Sequence, residues 1–261
     1  SISSATEPWL RTIVSHELFH HVQFHYIDFN QWPSWGAWTV EGTARSMEDK
    51  IYLDNDNNPA NALYFGQVNN YLGDPNRTLM DISYSAALFW TYLCEQLGTP
   101  FPEPARGVDV IQRFWANTDG NSPDSMKYIR ETINSFSSGT TFEEMFRDFC
   151  IANYTHDLDV SALSDPDKYR YYDETAAGGG TSYDSVARTS VGSWNTTHSD
   201  QVVRWGARYF EINVPSEKRC EAIGFWGKSK SGETLSWAII GLQGDRVIDI
   251  YRSSGGTFYR A

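Results

Sequence analysis

The sequence predicts an α+β protein: a mainly helical lobe over residues 1–160, a connector over 161–185 and a small C-terminal β-sandwich over 186–261. Up to about residue 160 the apolar residues recur three and four apart, the period of helices buried along one face. The stretch "DPDKYRYYDETAAGGGTSYDS" then loses any period and is acidic, aromatic and rich in glycine. Beyond it, runs rich in β-branched and aromatic residues are broken by turns such as "SGE" and "QGD".

Taken in order, the first helix is expected at roughly 6 to 29. Ser4 and Glu7 form an S-x-x-E capping box, and Pro8 suits the first turn. Leu10, Ile13, Val14, Leu18, Val22 and Phe24 supply apolar residues through the run. A connector rich in Trp, Pro and Gly, "NQWPSWGAW", must reverse the chain before "WTVEGTARSMEDKIY", which reads as a second helix. Helical spacing then marks "ALYFGQVNNYL", "SAALFWTYLCEQL", "GVDVIQRFWANT", "SMKYIRETINSF" and "TFEEMFRDFCIANYTH", the last capped by Thr140 or Thr141. Strands are expected in "QVVRWGARYFEINV", "CEAIGFWGKS", "ETLSWAIIGLQ" and "RVIDIYRS", and four or five strands at that spacing suggest the sandwich. Such a module could help bind substrate or simply cap the catalytic lobe; no site chemistry appears in it, which favours the structural reading.

A chain of 261 residues with 40% hydrophobic content can bury real cores. Its net charge of −12 argues against nucleic acid or an anionic membrane as partner. No run is long enough for a transmembrane segment. Cys94, Cys150 and Cys220 make neither a disulfide framework nor a metal cluster. The chain starts at Ser without Met, so it is expected to be part of a longer precursor.

The stretch "HELFHHVQFHY", from His16 to Tyr26, holds four of the six histidines. His16 with His20, and His21 with His25, each have the spacing of one helical turn. Glu17 follows His16, whereas Val22 follows His21, so only the first pair makes H-E-x-x-H. In that pattern both imidazoles bind Zn²⁺ and the Glu acts as general base. On a helix His21 and His25 point about 140° and 180° away from His16, so they are expected to face away from the metal.

A catalytic zinc takes three protein ligands and leaves a fourth position for water. Glu41, about twenty residues beyond His20, is the candidate third ligand. Gly42 and Ala44 are small and would let the second helix approach the first closely. Glu48 and Asp49 read as an ordinary solvated face.

H-E-x-x-H followed some twenty residues on by Glu is the gluzincin arrangement. Here "HELFHHVQF" and then "W..EGTARSMED" resemble secreted bacterial gluzincins of the peptidase-MA-like type, which read H-E-F-F-H-x-x-Q-F and then E-A-T-A-x-W-M-E-D. The resemblance covers roughly residues 12 to 53 closely and "YSAALFWTYLCEQLG" more loosely. It implies a zincin-type catalytic lobe, His16, His20 and Glu41 as zinc ligands, Glu17 as base, and Tyr84 near the cleft. It also implies a peptide or protein substrate and a secreted, extracellular setting. Two departures stand out: Arg45 occupies the place of the Asp in the thermolysin-like E-x-x-x-D, leaving the partner of a ligating His unassigned, and no sheet precedes the zinc helix.

Such a site hydrolyses peptide bonds with a metal-activated water, with Glu17 moving the proton. Tyr84 is either a donor to the oxyanion or a core aromatic at a helix start. A catalytically inactive, zinc-stabilised binding or structural protein is the alternative. "DNDNNP" places Asp54, Asp56 and Asn58 at alternate positions, but Pro59 and Phe65 exclude an EF-hand. A looser Ca²⁺ site there is the lesser reading beside a solvated turn. His198 reads as exposed, and His156 as a helix-terminus group.

Overall fold

The helical half is built around one helix that has no polar side. α4 (Ala87–Leu97) opens with "ALFWTYLC", and every residue from Ala87 to Cys94 is buried. A helix that is apolar all round is stable only inside a lobe. Packed about it are α2 (Ala37–Ile51), α3 (Pro59–Gly73), α5 (Val108–Thr118) and α7 (Phe142–Thr155). α6 (Ser125–Phe136) lies against α5 and α7, and α1 (Glu7–Gln23) lies at the edge against α2 and α3. Ring contacts from Phe89, Trp90 and Tyr92 to Phe114, Phe142 and Phe149 span 4.9–5.7 Å between centroids, in the edge-on and tilted arrangements that ring quadrupoles favour. Thr141 caps α7 in a capping box with Glu144.

The computed structural model describes residues 7–51, 59–102, 105–118, 123–172, 183–193, 198–214, 223–226, 235–254 and 257–260. Ser4 of the expected capping box lies outside them, as do Cys220 and the calcium candidates Asp54, Asp56 and Asn58. No helix among the described residues is long and apolar enough to cross a membrane.

The first helix differs from expectation in two ways. It stops at Gln23 rather than near residue 29, and a 3-10 turn over Phe29–Trp35 follows, with the Asp28 side chain accepting from the Asn30 N–H at 2.8 Å. The early stop lets Phe24, Phe29 and Trp32 meet as a ring cluster. Most of its apolar residues also do not face the core: Leu10, Ile13, Val14, Leu18 and Val22 are all exposed, and Phe19 alone of the helix's buried residues is apolar. The buried face is Thr12, Ser15, His16, Phe19, His20 and Gln23. Polar groups inside need partners, and α2 supplies those of His16 and Gln23.

Gly42 does not serve the approach of α2 to α1. On a helix it lies about 100° round from Glu41, and a Cβ there would meet Trp90 Cδ1 at 2.9 Å and Ala86 Cβ at 3.1 Å. It therefore sets the contact of α2 with α4, where Trp90 Nε1–H also donates to the Trp38 carbonyl at 2.8 Å. Trp90 is wholly buried and cannot swing aside. Gly42→Ala is expected to lose about 1–3 kcal/mol to overpacking, offset by about 1 kcal/mol of helix propensity. A lower Tm with unchanged helical content would be seen by calorimetry and far-UV circular dichroism.

The C-terminal part supplies the β component. β1 (Thr189–Ser193) pairs in parallel with β2 (Phe210–Asn213), β3 (Ile223–Trp226) antiparallel with β6 (Thr257–Arg260), and β4 (Ser236–Gln243) antiparallel with β5 (Arg246–Ser254). The expected "QGD" turn joins β4 to β5, with Gly244 at φ 60. Among the described residues these are three separate two-stranded ribbons rather than two sheets face to face. Part of the expected strand run is used differently. Trp205 packs on Phe142 and Phe146, at 4.8 and 5.5 Å between centroids, and its carbonyl accepts from the Leu79 N–H at 3.0 Å. Tyr183 and Val186 join the same core, so the helical lobe draws on chain well beyond residue 160.

Candidate metal centre

α1 places His16 and His20 one turn apart on its buried face, and α2 brings Glu41 opposite them. His20 Nε2 lies 3.0 Å from His16 Nε2, and Glu41 Oε2 lies 3.0 Å from His16 Nε2 and 3.6 Å from His20 Nε2. Ligands at about 2.0–2.2 Å from a tetrahedral ion stand about 3.3–3.6 Å apart, so the three atoms have nearly the right spread for zinc. Among the described residues no other three His, Cys, Asp or Glu side chains converge in this way.

The hydrogen bonds behind the imidazoles sharpen the point. Gln23 donates through Nε2 to the Val40 carbonyl at 2.9 Å and to Thr43 Oγ1 at 3.0 Å, which turns its Oε1 towards His20 Nδ1 at 2.7 Å. His20 must therefore carry its proton on Nδ1. His16 Nδ1 faces Glu48 Oε1 at 2.5 Å, and a carboxylate only accepts, so His16 also donates from Nδ1. Both Nε2 atoms are then left as bare acceptors beside a third acceptor, the Glu41 carboxylate. Three converging acceptors call for a cation or a proton.

Glu48 corrects the reading of a solvated face. Its side chain is 1% exposed and is ion-paired with Arg45 as well as hydrogen-bonded to His16. It stands seven residues after Glu41, two helical turns on, hence on the same side of α2. The side chain of Asp49 is outside the described residues. Arg45, which replaces the expected Asp, instead holds Glu48 and lies over the Tyr84 ring, 4.9 Å from its centroid. Sequence reasoning missed this link, and the seven-residue spacing was its one signal.

Tyr84 opens a 3-10 turn just before α4, with its ring 5.6 Å from that of His16. Its phenol is raised above the ordinary value, first by burial and then by the charge and hydrogen bond of Glu41, with a further contribution from the charge of Glu17. Glu17 itself is exposed on α1. His21 and His25 are exposed and belong to no converging group. His156 ends α7 with Nε2 3.2 Å from the Asp184 carbonyl, and His198 is exposed. Burial pushes the Cys150 thiol up to about 12, so it is no thiolate ligand at neutral pH. Two surface hollows, one bordered by Asn76 and Arg208 and one by His156 and Arg170, share no residue with the centre.

Without a metal, the cluster binds a proton. Burial alone would lower the His16 imidazole, but hydrogen bonds and charge from Glu41 and Glu48 outweigh it and push the group up to about 9. Burial would raise the Glu41 carboxyl, yet the two histidines outweigh that and hold it at about 2. A raised His stabilises the fold fully below its unfolded value of 6.5, and that stability is lost as pH rises through about 9. A lowered Glu stabilises above 4.5, and that is lost as pH falls through about 2. In chelator, the Tm is expected to fall as pH rises from 6.5 to 9, as calorimetry across that range would record; a flat Tm would contradict the pairing. Zinc loading at pH 7 should expel about one proton per chain, measurable in weak buffer.

Compared with known protein families, curated proteins and solved structures, the chain matches none of them.

Proposed function

We propose that this chain is a secreted zinc endopeptidase of the gluzincin type, with a zincin-type catalytic lobe in its helical half. The observation that carries the reading is the convergence of His16 Nε2, His20 Nε2 and Glu41 Oε2, with both Nδ1 protons committed to Glu48 and Gln23. Bound there, zinc supplies Lewis acidity, lowering the pKa of a water towards about 7 and polarising a carbonyl. Glu17, on the open edge of α1, takes the proton of the attacking water on its carboxylate and passes it to the leaving amine nitrogen. Tyr84 keeps its phenolic proton at neutral pH and donates a hydrogen bond to the developing oxyanion. Arg45, stacked on that ring and paired with Glu48, keeps Tyr84 and His16 in fixed relation.

The test is metal content together with digestion of casein, with and without a chelator. One zinc per chain, and hydrolysis that the chelator stops and zinc restores, is the expected result. No zinc retained after dialysis would end the reading. One zinc with no hydrolysis would instead favour the inactive zinc-stabilised binding protein.

A further inference from the structure

α1 turns its polar side inward and its apolar side outward. Trp9, Leu10, Ile13, Val14, Leu18 and Val22 are 43–58% exposed, and Phe29, just past the helix end, is 63% exposed. On a helix Leu10, Ile13 and Val14 point within about 60° of Glu17, with Leu18 and Val22 on the far flank, so these residues form one stripe opposite the buried face. A whole aromatic side chain buries about 150–250 Å², so seven large residues at about half exposure amount to about 600 Å². Single apolar residues scattered over a surface are ordinary, but a contiguous patch at the top of the range found on monomers, about 300–600 Å², marks an interaction face.

We propose that this face is the centre of a two-fold dimer of the chain, in which α1 packs antiparallel on α1 of a second copy and covers Glu17. The area selects a second copy. About 600 Å² from each of two copies gives about 1,200 Å² of apolar surface, which reaches the 1,200–2,000 Å² of stable interfaces before any polar rim is counted, and homodimer interfaces are the more apolar class. The polar groups within the stripe are also self-complementary. Glu17 and His21 lie one turn apart in its middle, both exposed. A two-fold axis at the level of Phe19 sets the Glu17 carboxylate of each copy opposite the His21 imidazole N–H of the other, twice over. The same register lays the Leu10–Val14 end of one stripe over the Phe24–Phe29 end of the other. Between residues 8 and 25 the sequence holds one acid, Glu17, and one strong base, Arg11, so the net charge of −12 lies elsewhere on the chain. Arg11 is paired with Glu7 on its own helix. On the peptidase reading, which this consequence rests on, the dimer is the closed form, because substrate reaches Glu17 only after the copies part.

The test is sedimentation velocity on the zinc-loaded chain, without substrate, from about 1 to 100 μM. Wild type is expected to pass from monomer to dimer across that range. Leu18→Glu should weaken dimerisation about 100-fold or more, since a two-fold interface counts each change twice, with far-UV circular dichroism unchanged. His21→Glu sets like charges face to face and should weaken it about 10-fold, whereas His21→Lys should not. Ile248→Glu, at a 52% exposed apolar position on β5, is the control and should leave the dimer as it is. A chain that stays monomeric up to about 100 μM overturns the proposal. So does a dimer that Leu18→Glu leaves intact, or one that Ile248→Glu parts equally well. Peptidase rate per chain should fall as the dimer fills, and a rate indifferent to dimer formation overturns the covering of Glu17. A dimer parted by Leu18→Glu in a chain that hydrolyses nothing keeps the interface and removes only the peptidase reading.

Discussion

Glu17→Gln is expected to hold a full complement of zinc and to hydrolyse peptide about 10²- to 10⁴-fold more slowly than wild type, the usual contribution of general-base assistance. The two halves of this result follow from where Glu17 stands on α1. Its helical direction is about 100° from His16 and 60° from His20, so it borders the cluster without entering it. The three atoms that converge belong to His16, His20 and Glu41, while Glu17 is exposed. Gln keeps the size and hydrogen bonding of Glu and removes only the basic carboxylate. His20→Ala is the companion variant: it deletes a ligand, so metal and activity should disappear together. Metal content, far-UV circular dichroism and peptidase rate would be measured on all three proteins. Full zinc with near wild-type hydrolysis in Glu17→Gln would sink the assignment of the base.

That His16 and His20 share a face was legible because their geometry belongs to one helix: residues four apart lie together whatever surrounds them. The convergence of Glu41 on that face was legible for a related reason, since the candidate third group was sought on the next element able to pack on the first. The α+β division was equally plain, because "ALFWTYLC" and "SWAIIGLQ" differ in period and in β-branched content. What could not be read was which face of a helix turns inward. The apolar residues Leu10, Val14 and Leu18 looked like the packing side of α1, yet the polar side faces α2 because it carries groups that need buried partners. The run from Gln201 to Tyr209 failed in the opposite way. It has the composition of a strand, but Trp205 packs on the aromatic wall of α7, and Asn76 holds the chain there by donating to the Gln201 carbonyl at 3.1 Å and accepting from the Val203 N–H at 2.9 Å.

Glu48 is where sequence composition misled most, and it carries the second large effect. Acids on helices are usually solvated, but this one is buried between His16 and Arg45, which itself is only 8% exposed. Partners behind a metal-binding His fix its tautomer and raise its basicity, and losing one typically weakens metal binding about 10- to 100-fold. Glu48→Gln should therefore cost zinc affinity in that range. It should also lower stability without metal by about 3–5 kcal/mol, because Arg45 keeps its buried charge and loses the carboxylate that compensates it. The destabilisation should shrink when Arg45 is replaced by Met in the same chain, since the stranded charge is then gone, whereas the loss of zinc affinity should remain, since His16 still lacks its acceptor. That separation distinguishes orienting the ligand from merely filling space. Glu131→Gln, at an exposed position on α6, serves as the control and should change neither quantity. Zinc affinity would be read by competition with a chromophoric chelator and stability by urea unfolding in chelator. Wild-type zinc affinity in Glu48→Gln would mean that His16 does not depend on Glu48, and the carboxylate would then be only a counter-charge for Arg45.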